Sequence, residues 1–89
     1  MAAFVTMVYP IQIRAARILL NLSQNDLAKL ASLSVVTIKR VEAAGTDFRG
    51  RAKTIVQIQR ALEAAGAVFI DESQTEGPGV RLRHPIGEK

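Results

Sequence analysis

Apolar residues recur at three- and four-residue intervals through most of this chain, then change to alternation near its end. In IQIRAARILLNL, which follows Pro10, the positions Ile13, Ala16, Leu19 and Leu20 form one stripe. That spacing predicts a helix from Pro10, whose fixed φ suits a first turn. A second helix is predicted from about Gln24 to Ala31 and a third from about Val35 to Glu42 or Ala43. Leu27, Leu30, Leu33, Ile38 and Val41 are spaced to face a common core. A fourth helix is predicted over 52–65, with Ile55, Ile58, Ala61, Leu62 and Ala65 inward and Gly66 as its stop. Beyond it, AVFID (67–71) and GVRLR (79–83) read as short strands joined by the turn-forming ESQTEGPG. The fold class expected is mainly α, four helices followed by a C-terminal β-hairpin.

The middle of this pattern carries the functional signal. Ser23 precedes the second helix, with Asp26 three residues on, a shorter-armed capping box; Ser34 precedes the third. Ala28 stands where two steeply crossing helices need a small side chain. The third helix then displays Val35, Val36, Thr37, Lys39 and Arg40. A capped, basic, exposed second helix of such a pair is the physical description of a helix that lies in the DNA major groove.

The ends of the chain read differently. Residues 1–9 are expected to be an apolar N-terminal arm, with Met7 as an alternative start, and 10–66 the helical domain. Residues 67–83 are the hairpin and 84–89 a frayed tail. A lone two-stranded ribbon is marginal in water, and AVFI is apolar on both faces, which a free edge avoids. The hairpin is therefore expected to be buried, with Val68, Phe69, Ile70, Val80 and Leu82 forming a homodimer interface; packing on its own helices is the alternative. Phe48, between the third and fourth helices, is expected to plug the core.

Composition narrows the function. At 89 residues there is room for one small domain and none for a separate ligand-sensing one. There is no cysteine and one histidine, His84 in the tail, so neither a disulfide framework nor a thiolate or histidine metal site is expected. Residues 1–66 carry nine Lys or Arg against four Asp or Glu. Five of the bases (Lys39, Arg40, Arg49, Arg51 and Lys53) fall within fifteen residues, a surface that attracts polyanions. No apolar run approaches the length of a membrane span, and the N-terminus lacks the basic region of a signal peptide. Ser23, Ser32, Ser34 and Ser73 have no histidine placed to activate them, and no phosphate-binding loop or carboxylate dyad is present. No enzymatic activity and no cofactor are expected.

Residues 17–42 resemble the lambda-repressor-like family of DNA-binding domains, of Cro/Xre type. The matching residues are Arg17, Ser23-Gln24, Leu27-Ala28, Ser34, Thr37-Ile38 and Glu42. The resemblance, extended over residues 13–83, implies a lambda-repressor-like four-helix fold. It also implies an Arg17–Glu42 ion pair tying the first helix to the end of the third. It implies a cytoplasmic, nucleoid-associated bacterial transcriptional regulator, a small repressor, that binds double-stranded DNA; because one small module reads few base pairs, a homodimer on two half-sites is expected. An antitoxin that binds a toxin protein and represses its own operon is the alternative reading. Gln24 would touch a phosphate or a base, Ser34 a phosphate, and Val35, Val36 and Lys39 base edges. Thr37, Arg40, Arg49, Arg51 and Lys53 would hold the DNA backbone. One position departs from the family pattern: Ser32 stands where a glycine is usual, at a turn that favours positive φ.

Overall fold

The computed structural model describes residues 7–47 and 50–87. The expectations for Phe48, for Arg49 and for residues 1–6 of the arm lie outside the described residues. The elements are α1 (Pro10–Leu19), α2 (Gln24–Ala31), α3 (Val35–Ala43), α4 (Ala52–Ala64), β1 (Ala67–Ile70) and β2 (Gly79–Leu82). Four helices followed by an antiparallel hairpin is the expected fold class.

The core is one cluster, built from Val8, Ile13, Ala16, Leu27, Ala28, Ala31, Ile38, Val41, Ile55, Ile58, Leu62, Ala67 and Phe69. Each Ile or Leu among them contributes about 1.5–3 kcal/mol by leaving water. Ala28 lies buried in this cluster, as a close helix crossing requires. Of the other expected core members, Leu20, Leu33 and Ala61 pack at its edge, and three are exposed: Leu30, Leu19 and Ala65, the last because it caps the end of α4. Leu30 is 51% exposed, because α2 turns Leu27, Ala28 and Ala31 inward and position 30 falls on the opposite side. Leu19 is also exposed, since Ile13 and Ala16 set the inward direction of α1. Conversely, Val8 is fully buried, so the segment assigned to an arm enters the core before α1 begins.

Both turns around α2 are Schellman closures. After α1, the Leu22 amide donates to the Arg17 carbonyl (3.0 Å) and the Asn21 amide to the Ile18 carbonyl (3.0 Å). Asn21 supplies the left-handed residue, at φ 59°. After α2, the Leu33 amide donates to the Ala28 carbonyl (2.9 Å) and the Ser32 amide to the Lys29 carbonyl (3.3 Å). Ser32 takes the left-handed conformation at φ 58°. The turn thus keeps the geometry that glycine usually provides, at a cost of about 1–2 kcal/mol. After α3, Gly45 adopts φ 65°, and its carbonyl accepts from the Ile11 amide at 2.8 Å. One of the amides left over at the start of α1 is satisfied in this way.

The hairpin packs on its own helices. Ala67 pairs with Leu82, Val68 with Arg81, Phe69 with Val80, and Ile70 with Gly79. Alternation sends Ala67 and Phe69 into the core, with Val80 packed against it. β2 lies against α1 and β1 against α4. Gln12, buried in α1, bolts the ribbon down. Its Oε1 accepts from the Tyr9 amide (2.8 Å), and its Nε2 donates to the carbonyls of Gly79 (2.9 Å) and Ile70 (3.2 Å). The Tyr9 hydroxyl donates to Glu72 beyond β1, and the same bond raises the Tyr9 pKa. Of the residues expected at a dimer interface, Phe69 is therefore committed to its own protomer's core, and Val80 is packed against that core.

Candidate nucleic-acid interface

The cap of α3 fixes where the helix starts, and its packing decides which side chains face outward. The Ser34 hydroxyl accepts from the Thr37 amide (3.1 Å) and lies 3.0 Å from the Thr37 hydroxyl. The helix therefore starts at Val35, with Ile38, Val41 and Glu42 inward. The opposite positions, Val36, Lys39, Arg40 and Ala43, all fall in the exposed class and follow the i, i+3, i+4, i+7 rule of one helix face. Val36 is 57% exposed. Val35 is half-buried against the core, so of the two valines expected at base edges only Val36 stands fully outward.

Behind this face lies a polar joint. The Arg17 guanidinium meets the Glu42 carboxylate twice, Nε to Oε2 at 2.7 Å and Nη2 to Oε1 at 3.0 Å. Its third donor, Nη1, reaches the Leu22 carbonyl at 2.9 Å. The carboxylate is nearly fully buried, and this fork geometry offsets its desolvation. Gln24 donates from Nε2 to Glu42 Oε1 at 3.1 Å. A carboxylate only accepts, so the amide orientation of Gln24 is fixed, with Nε2 on the Glu42 side. The first-turn amides of Gln24 and Asn25 have no acceptor within α2. The Ser23–Asp26 capping box is closed in both directions at 2.9 Å. Hydrogen bonding from the Ser23 amide holds the Asp26 carboxyl below its ordinary pKa.

Two open clefts flank α3. One is lined by Arg14, Arg17, Gln24, Lys39, Glu42 and Ala43. The other is lined by Thr37, Arg40, Val41, Gly50, Arg51 and Thr54. With Arg17 spent on Glu42, the first presents Arg14, Gln24 and Lys39 to solvent, and the second Arg40 and Arg51. Each cleft sets cations beside a helix N-terminus, that of α2 or of α4, an arrangement that favours anions. Lys53 is exposed on the first turn of α4, farther from α3. Arg14 and Thr54 were not among the residues singled out from the sequence. Arg14 was legible in principle, since it lies three residues before Arg17 and so on the same side of α1. Thr54 carried no such signal.

Gln57 ties α4 to the end of α2, donating from Nε2 to the Ala31 carbonyl at 2.6 Å. Among the described residues no helix is long and apolar enough to cross a membrane. No curated protein is significantly similar to the chain. The helix-turn-helix family model HTH_3 matches residues 13–64, more than half of the chain, from the inward stripe of α1 to the end of α4. That family comprises DNA-binding regulatory domains rather than enzymes. With its four helices in the family's arrangement, the chain belongs to the Cro/C1-type helix-turn-helix family and is, in that general sense, a DNA-binding transcriptional regulator.

Proposed function

We propose that this protein is a small repressor that reads DNA in the major groove through α3 and acts by occupying its operator as a homodimer. The observation that supports this most is the outward stripe of Val36, Lys39 and Arg40 between two cation-lined clefts. A helix of this kind enters the groove with its first turns. Val36 then meets a thymine methyl, and Lys39 donates to guanine O6 or N7. Val35 contributes through the edge left open by its half-burial.

The clefts serve the two flanking phosphate runs. Gln24, Ser34 and Thr37 contact phosphates near the starts of α2 and α3, and Arg14 joins them. Arg40, Arg51 and Lys53 hold the backbone on the other side. These contacts set position and affinity but carry no sequence information. Arg17 and Glu42 do not touch DNA in this scheme. They hold Gln24 and the end of α3 in place.

Selection of bound duplexes from a random pool tests this reading. The expected product is a palindrome whose half-sites are centred about 10–10.5 base pairs, or a multiple, apart. A pool that emerges with no shared sequence would refute major-groove readout by α3.

A further inference from the structure

The outward stripe of α3 begins with a side chain that can neither donate nor accept a hydrogen bond. Val36 is exposed in the first turn, and the polar groups around it are turned elsewhere. The Ser34 hydroxyl caps the helix and lies 3.0 Å from that of Thr37. Thr37 lines the cleft of Arg40 and Arg51, about 100° around the helix from Val36. Glu42, the one carboxylate of α3, is buried on Arg17.

A base edge in the major groove offers one apolar feature, the C5-methyl group of a pyrimidine. Thymine carries it, and so does 5-methylcytosine. The two differ at C4, where thymine has the O4 acceptor and cytosine the N4 donor. Telling them apart takes a donor or a carboxylate aimed at that atom, and the first turn of the stripe supplies neither. Lys39 follows three residues on, a rise of about 4.5 Å along the helix. That is closer to one base-pair step of about 3.4 Å than to two. Its ammonium group only donates, so it belongs with the acceptors of the adjacent pair.

We propose, resting on the major-groove reading above, that α3 recognises a C5-methylated pyrimidine beside a guanine and takes 5-methylcytosine in place of thymine. Thymine beside guanine and methylated cytosine beside guanine present the same two features, a methyl group and then the O6 and N7 acceptors. Unmethylated cytosine beside guanine lacks the first. Cytosine methylation of the DNA thus creates sites for this protein, and its loss removes them. Val36 is the residue that senses the methyl group, and Lys39 the one that fixes its neighbour.

Duplexes that differ by a single methyl group test this. In the selected operator each thymine of a half-site is replaced in turn by uracil. In a second series the T·A pair is replaced by 5-methylcytosine·G or by cytosine·G. At one position thymine is expected to bind about fourfold more tightly than uracil, the worth of one buried methyl group. At the same position 5-methylcytosine is expected to exceed cytosine by a similar factor. Val36→Ala is expected to bring both ratios close to one with an unchanged circular dichroism spectrum. Lys39→Ala is expected to keep both ratios and lose the preference for the adjacent guanine. Ratios near one at every thymine would overturn the proposal. So would thymine favoured over uracil with 5-methylcytosine no better than cytosine, since C4 is then read as well. Ratios that persist in Val36→Ala would assign the methyl group to another residue and overturn it too. In each of these cases a shared sequence recovered from the random pool leaves the groove reading standing, whereas a pool without one removes both.

Discussion

Lys39 and Arg51 are both cations on the same side of the molecule, yet they are suited to different work. Lys39 stands on the outward stripe of α3, which the proposed mode sets against base edges; Arg51 precedes α4 at the edge of a cleft. Lys39→Ala should weaken binding to the selected operator by about 1–3 kcal/mol and relax its sequence preference. Arg51→Ala should weaken binding to every sequence and reduce the salt slope by about one. Titrations on operator and random duplexes at several salt concentrations separate the two, and identical behaviour would refute the division of roles. Arg17 is a cation of a third kind. Removing it strands the buried Glu42 carboxylate and frees Gln24, so Arg17→Ala should cost about 3–5 kcal/mol in urea unfolding. Glu42 and Arg17 were visible in the sequence through the family resemblance. Arg14 shares Arg17's side of α1, which its spacing alone shows, but only the packing of the helices sets it beside Gln24 and Lys39.

At the scale of elements, local chemistry wrote the helix boundaries and long-range contacts settled the rest. The starts of α2 and α3 coincide with Ser23 and Ser34 because each hydroxyl satisfies an amide that the helix cannot. Asp26 completes the first of these caps as a carboxylate. Its folded pKa is lowered, so the stability it contributes is present above the unfolded value near 3.9 and is lost as pH falls through the folded one. Thermal melts from pH 6 down to 2 should show this component of the acid destabilisation, and Asp26→Asn should remove it. The hairpin illustrates the opposite case. Its strands were legible from alternation and its turn from ESQTEGPG, but its mooring was not. A glutamine in the middle of an apolar helix stripe gives no sign that it will meet two carbonyls nearly sixty or more residues away. Gln12→Ala should cost about 1–3 kcal/mol. Hydrogen exchange should show the β1–β2 amides losing protection while those of α2 and α3 keep theirs.

For the molecule as a whole, cations from separate elements collect on one surface. Arg14, Lys39, Arg40, Arg51 and Lys53 surround α3 and the start of α4. With Lys39 assigned to a base edge, the four cations Arg14, Arg40, Arg51 and Lys53 placed against phosphates predict a slope of log Kobs against log salt of about −3 to −4 per protomer. Binding isotherms between low and physiological salt measure it, and a slope near zero would contradict the phosphate contacts.

The sequence by itself determined the elements, their order and the family, because caps, helical periodicity and turn residues act over a few positions and need no partner. It also determined that α3 would be basic. Only the tertiary structure decided that Leu30 and Leu19 face water, that Val8 belongs to the core and that Phe69 is spent inside its own protomer. It alone brought Arg14 beside Gln24 and Lys39. Those outcomes depend on which way each helix is rotated against its neighbours, and that rotation is a compromise struck by the whole core at once.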